Sequence, residues 1–444
     1  MPLSVRNRTL ALGLVAGLLA GTVPSASAAP LVIDTDPAAD TETAPQRPAP
    51  DPLTNDRLRA GVYPAQPVPP EFAVPAESAD AAMPLDWSIG LRGTYTSSNG
   101  QGSFVTRLAP QFTVTHAGSI ADIVVEGGAE LARTSTHDMP VLSSAGLGIS
   151  ATAPLGPETT LSASGAIGLS QDLPGSPGLA ASVLVPPQIL TGGIDLGLDR
   201  QFGKFNLGIG AGAARTIYGP STRSDTGLTD NSAQNHWSTE ASLRLGYQIT
   251  PIFEIFGEGA LERDLFDSPN SAGLYPNATN RILRAGIAGN WNDVWSATVS
   301  AGIGERVFDA AALGAITAQL YGAEITYRPD PTIALTAGLE TEMAPPGADA
   351  ADAAGTARIE HTAFATAQYE VNSWLRLRAS ADWTHADLVG TGTSERQFGL
   401  GAGADYALGA HASLNADYGY GNRLNSSTGE TQTHQVSLGI TVSR

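Results

Sequence analysis

The sequence predicts an all-β chain closed as a transmembrane antiparallel up-and-down β-barrel, and three observations carry that prediction. The first is strand length. In Asn280 to Phe308, residues Leu283, Ala285, Ile287, Gly289 and Trp291 alternate with Ile282, Arg284, Gly286, Ala288 and Asn290, and after Asn292-Asp293 the alternation resumes from Trp295. Each arm is about 10 to 13 residues long, against a usual globular strand of about 5 to 6, with one greasy face and one small or polar face. The second is the regular exchange of short turns and longer polar connections along the chain. The third is the clustering of aromatic residues near both ends of the alternating segments, as a membrane-crossing barrel requires.

Composition agrees. Only 15% of the residues are charged, glycine is abundant at 50, mean hydropathy is −0.03, and no long stretch shows the 3.6-residue period of an amphipathic helix. The formal net charge of −19 excludes nucleic acid as a partner, because phosphate binding needs a Lys or Arg surface. With no cysteine there is no disulfide framework and no site for a lipid-modified N-terminal Cys.

Residues 1–28 have the layout of a secretory signal peptide: Arg6 and Arg8, an apolar core over Leu10 to Ala20, then the small-residue site Ala26-Ser27-Ala28. The apolar core is too short to span a bilayer as a helix, and nothing later approaches about 20 continuous apolar residues. Residues 29–84 turn to Pro, Ala and acidic residues, as in PQRPAPDP and AQPVPPEFAVP. So little apolar surface cannot offset ordering entropy, and the segment is expected to be a disordered periplasmic arm, acting as a spacer or as a tether to a periplasmic partner. Within it, Arg57 to Pro64 is the one stretch with a case for local order.

Residues 85–444 form the barrel domain. Short turns fall at His116 to Ser119, Pro154 to Glu158, Arg200 to Lys204, Thr250-Pro251, Asn292-Asp293, Arg328 to Pro331, Val371 to Ser373 and Leu408 to Ala410, spaced by about 40 residues. Longer connections lie between them, among them Gly219 to Asn235, Asp267 to Thr279, Ala344 to Gly355 and Gly421 to Glu430. A β-propeller shares the period but needs four short strands per repeat, where this chain offers two long ones. Pairing the strands across the short turns, then adding a first strand near Leu85 to Tyr95 and a last from about Thr431 to Val442, gives about 18. The alternation is blurred over Val183 to Leu198 and Ala315 to Tyr327, and a slip there would give about 16 instead. Leu173 to Gln188 is unusually apolar for a surface loop, so it is either an infolded loop or, over Ala180 to Val185, a continuing strand.

The aromatic residues Tyr247, Phe253, Trp291, Trp295, Tyr369 and Trp374 lie near short turns, and Trp237 lies toward the long-loop end. Trp237 and Tyr247 share a face, and at about 3.4 Å per residue and a tilt near 40° they sit roughly 26 Å apart along the membrane normal. These positions mark two interfacial girdles, where the barrel meets outer-membrane lipid and lipopolysaccharide. The opposite face carries the charge: Asp122, Glu126 and Glu130 on one strand, Glu254, Glu258 and Glu262 on another, Arg244 and Arg284 on the two strands flanking that row, and Arg376, Arg378 and Asp382 on a fifth. A midplane Arg or Lys facing lipid costs about 2–4 kcal/mol, so these residues are expected to line the interior. Rows of mixed charge either set a field across a water-filled pore or pair up and plug the barrel. A barrel of this size is wide enough for an aqueous channel.

Catalytic and cofactor motifs do not emerge. The seven histidines are scattered, no HExxH, GxSxG or nucleotide-binding loop occurs, and His137-Asp138 is the only close imidazole and carboxylate pair. The carboxylate rows lack the dense loop spacing of a Ca²⁺ site. No enzyme activity, cofactor or metal is expected.

Arg107 to Arg133 (RLAPQFTVTHAGSIADIVVEGGAELAR) and Tyr369 to Trp383 (YEVNSWLRLRASADW) resemble recurrent hairpins of the outer-membrane β-barrel porin families of Gram-negative bacteria. The closing HQVSLGITVSR, His434 to Arg444, is similar to the terminal strand that barrel-assembly machinery recognises, except that Arg444 stands where a terminal aromatic is common. The resemblance covers Leu85 to Arg444, rests on pattern and implies an outer-membrane location. It implies passage of small solutes; a non-conducting or accessory barrel, serving exopolysaccharide export or envelope anchoring, is the alternative. A soluble extracellular β protein is a third reading.

Overall fold

A computed structural model describes residues 85–135, 140–173, 183–270, 272–292, 294–345, 357–390, 392–426 and 429–444. The strands are β1 (Leu85–Ser98), β2 (Gln101–Ala117), β3 (Asp122–Thr134), β4 (Val141–Gly156), β5 (Thr159–Gln171), β6 (Val183–Val185), β7 (Gln188–Phe202), β8 (Phe205–Tyr218), β9 (Ser221–Arg223), β10 (Gly227–Thr229) and β11 (His236–Gln248). They continue with β12 (Phe253–Phe266), β13 (Ala278–Trp291), β14 (Trp295–Phe308), β15 (Ala315–Asp330), β16 (Ile333–Ala344), β17 (Ala357–Asn372), β18 (Leu375–Val389), β19 (Thr393–Gly409), β20 (Ala412–Asn425) and β21 (Gly429–Ser443).

Eighteen of these make one sheet in which each strand pairs antiparallel with its neighbours along the chain. The sheet closes on itself where Leu91 of β1 faces Ile440 of β21 and Tyr95 faces Val436, and the last rung is the pair of backbone bonds between Trp87 and Arg444. Closure pairs the first strand with the last, and a closed sheet is what lets strands cross a bilayer. The small strands β6, β9 and β10 form a separate three-stranded sheet on the long-loop side. Asn292, in the turn after β13, has φ 51°, a left-handed conformation that asparagine tolerates better than most residues and that a tight hairpin needs.

Period two sorts the side chains. Leu283, Ile287, Val299 and Ile303 are 63, 54, 58 and 59% exposed on the outside of the wall, while the other face carries Arg284, Glu254 and Glu258. Two segments depart from the simple alternation. The connection Gly421 to Glu430 is shorter than the sequence suggests, because β20 runs to Asn425 and β21 starts at Gly429; the polar Asn422, Arg423 and Asn425 lie on strand that continues to the rim. In the Leu173 to Gln188 segment, residues 174–182 lie outside the described set. Leu173 is buried against the lumen-facing Val105 and Ala132, and Val183–Val185 pairs with β9 of another loop.

A further departure is larger. β15 and β16 pair from Asp330↔Ile333 up to Gly322↔Glu340, with no further pair among the described residues, although β14 pairs β15 up to Ala315 and β16 pairs β17 up to Ala344↔Arg358. The upper part of the β16–β17 hairpin has left the line of the wall and turned inward. Met343 packs with Ala318, Leu320, Ile282 and Ile359, and Ala357 packs with Ala278, Phe308, Leu313 and Ile316. Those partners on β13 to β15 belong to the lumen face. The blurred alternation over Ala315 to Tyr327 thus has a physical cause: Ile316, Ala318 and Leu320 face inward yet are apolar, because the hairpin covers them.

Candidate functional site

The lumen wall holds its charge in linked clusters. On β11, Arg244 Nη2 lies 3.2 Å from Glu254 and Nη1 lies 3.9 Å from Glu258 on β12. Its guanidinium stacks 3.6 Å over the ring of Phe256, which shares the inward face, and Asn206 of β8 donates a hydrogen bond to Glu254. Arg284 stands opposite Glu258 in register, but its guanidinium reaches the infolded hairpin, donating to the Thr341 carbonyl at 3.2 Å and lying 3.8 Å from Glu340. Glu262 accepts a 2.8 Å hydrogen bond from Asn280. Above it the fully buried Arg306 pairs with Asp264 at 2.7 Å and donates to Asn280 at 3.0 Å. Burial without those partners would cost several kcal/mol.

Elsewhere on the wall, Arg376 pairs with Glu370 at 2.6 Å, and Arg378 binds Asp405 at 2.8 Å and Asp417 at 2.7 Å. Arg92 lies 3.7 Å from the same Asp417. Glu130 on β3 pairs with Arg107 at 3.2 Å and accepts a hydrogen bond from Ser143. Glu126 stands four residues along the same face, over Gly148, and Asp122 stands at its periplasmic end. Asp382 sits opposite Phe364 of β17. Period two alone would have added Asp195, Asp199, Glu240 and Glu324 to the inward set, since each alternates with apolar neighbours. The same parity runs on to Glu340, Glu342 and Arg306, but it does not record their surroundings, which the hairpin's inward turn decides.

Among the described residues, Glu126, Asp195, Glu240, Glu262, Glu324, Glu342 and Asp382 have no arginine within ion-pair reach. Arg92, Arg107, Arg244, Arg284, Arg306, Arg376 and Arg378, by contrast, each lie within reach of a carboxylate. The candidate pair His137-Asp138 lies outside the described residues.

The outward aromatics stack across neighbouring strands near the short turns: Phe205 with Tyr247 at 5.0 Å, Phe253 with Trp291 at 4.8 Å, Trp295 with Tyr327 at 4.1 Å and Trp374 with Tyr406 at 5.2 Å. Tyr369 is 46% exposed in the same zone. At the other rim, Trp237 is 48% exposed, with the guanidinium of Arg215 5.4 Å from its ring.

A closed wall with an apolar exterior, aromatic zones at its ends and a charged interior defines a porin-like barrel of the outer membrane. Residues 92–444 match the family described as "Putative beta-barrel porin 2", and the chain belongs to that family. No curated protein matches it. Among solved structures, it is similar to OccK3 (OpdO) of Pseudomonas aeruginosa at 13% identity, covering 81% of this chain and 96% of that one with a TM-score of 0.41. It is also similar to OpdK of the same organism, solved with vanillate, at 13% identity over 81% and 99% of the two chains (TM-score 0.42). OccAB4 of Acinetobacter baumannii matches at 12% identity over 82% and 100% (TM-score 0.39).

Proposed function

We propose that this porin prefers cations. The observation that carries the reading is the imbalance on the lumen wall: Arg244, Arg284, Arg306 and Arg378 are each held by carboxylates, while Glu126, Asp195, Glu240, Glu324, Glu342 and Asp382 are acidic groups with no arginine within ion-pair reach among the described residues. The pore-lining set is then Asp122, Glu126, Glu130, Arg244, Glu254, Glu258, Glu262, Arg284, Arg376, Arg378 and Asp382, joined by the residues the sequence did not single out. Carboxylates in a low-dielectric wall focus a negative potential into the water between them and raise the local cation concentration. An 18-stranded barrel leaves room for that water, and the infolded β16–β17 hairpin narrows it from the long-loop side. The aromatic rows, Trp237 at one end and Tyr247, Phe253, Trp291, Trp295, Tyr369 and Trp374 at the other, seat the wall at the two lipid interfaces.

The test is the reversal potential of the purified protein in planar bilayers under a KCl gradient. Potassium is expected to permeate several times more readily than chloride. Equal permeability, or a preference for chloride, would refute the reading.

A further inference from the structure

The outward faces of the barrel strands carry the large exposed apolar side chains, as lipid contact requires. Phe364 breaks this rule. Its neighbours in register are Gly338 on β16 and Asp382 on β18, both on the lumen face, and among the described barrel residues it is the one large apolar side chain on that face that remains exposed, at 44%. The other inward phenylalanines are covered: Phe256 is 7% exposed beneath Arg244, Phe266 is 7% exposed and Phe308 is 5% exposed against the hairpin. An exposed apolar surface among polar groups marks a contact site.

Its surroundings define the ligand. The row runs Glu324 on β15, Gly338 on β16, Phe364 on β17, Asp382 on β18 and Gly399 on β19, each opposite the next. Two glycines shape it: a Cβ at Gly338 would strike the Phe364 ring and one at Gly399 would strike the Asp382 carboxylate, so the ring and the carboxylate each lie flat over a neighbouring glycine. Neither Glu324 nor Asp382 has an arginine or a hydrogen-bond partner among the described residues. Two residue pairs above, at Glu340↔Thr362, stands the last rung before the hairpin turns inward. The ring therefore lies beside the narrowed part of the lumen, where a passing solute must come close to it.

We infer that Phe364, bracketed by Glu324 and Asp382, is a binding station for organic cations that carry an aromatic or other apolar body beside an ammonium or guanidinium group. The face of the ring attracts cations through its quadrupole, the carboxylates supply the charge, and apolar contact with the ring favours a solute with a body over a bare ion. A solute carboxylate would meet two like charges at this row. The inference rests on the cation preference proposed above and adds the chemical class.

Single-channel recording of the full chain tests it, with 2-phenylethylammonium, propylammonium and 3-phenylpropionate as probes. Phenylethylammonium is expected to interrupt the current with resolved dwell times, propylammonium more briefly, and phenylpropionate not at all. Phe364→Leu keeps the apolar volume and removes the ring face, so it should shorten the phenylethylammonium dwell about twofold to thirtyfold, the range from an exposed to a desolvated cation–aromatic contact. Asp382→Asn and Glu324→Gln should each make the interruptions rarer, and Phe364→Tyr should retain them. Unchanged dwell in Phe364→Leu, or equal block by phenylpropionate, would overturn the inference. The reversal potential of the unaltered protein separates the two readings: loss of cation preference removes both, whereas a cation-preferring pore with an unchanged Phe364→Leu dwell removes only this one.

Discussion

At the scale of single residues, the most constrained charge is Arg306. It has no exposed surface, and its carboxylate partner Asp264 is 5% exposed, so each needs the other. Arg306→Met leaves Asp264 buried and unpaired, for which about 3–5 kcal/mol of destabilisation is expected, while Asp264→Asn combined with Arg306→Met removes the stranded charge and should recover most of it. Urea unfolding of the protein in lipid vesicles measures both; a single variant no less stable than the double would contradict this account of the pair. The sequence makes one part of this legible. Asp264 and Glu262 fall on the same strand face by period two, but the partner of Asp264 comes from β14, beyond an intervening strand, and no local pattern records that distance. The same holds for Arg284, whose register neighbour is Glu258 and whose guanidinium goes to Glu340.

At the scale of elements, the β16–β17 hairpin departs most from what alternation conveys. The strands themselves were legible because a slip of one residue would turn every lipid-facing side chain into the lumen, so the pattern is strongly enforced where one face meets hydrocarbon. Above Glu340 that enforcement ends. Thr341 and Met343 sit on the parity that faces lipid lower down the strand, yet they are buried against the inner wall, and Thr341 bonds His361 at 3.0 Å. The chain lacks cysteine, so engineered thiols report the position of the hairpin directly. Gly304 lies against the end of the Met343 side chain, so Gly304→Cys with Met343→Cys should be bridged by a short bifunctional thiol reagent. Gln319→Cys with Met343→Cys, which would face each other only if the β15–β16 ladder continued upward, should not. Bridging of the second pair and not the first would put the hairpin back in the wall and enlarge the lumen.

At the scale of the whole molecule, the closed barrel of eighteen strands was legible from turn spacing, strand length and aromatic placement, and each of these follows from the bilayer. The balance of lumen charge was not, because it depends on which acids find arginines across the wall, and that separates a mixed-sign lining from one with a surplus of uncompensated carboxylates. If that surplus sets selectivity, selectivity must depend on ionic strength. The screening length is about 10 Å at 0.1 M salt and about 3 Å at 1 M, so at low salt the fields of Glu126, Asp195, Glu240 and Asp382 overlap across the lumen, and at high salt each acts only on ions beside it. Reversal potentials measured at a fixed KCl gradient but rising mean concentration should therefore begin strongly cation-selective near 0.1 M and fall toward the neutral value near 1 M. A pore that discriminates by tight coordination of a dehydrated ion would hold its selectivity across that range. A salt-independent potential would thus place the discrimination in the constriction beside the hairpin and remove it from the wall charge as a whole.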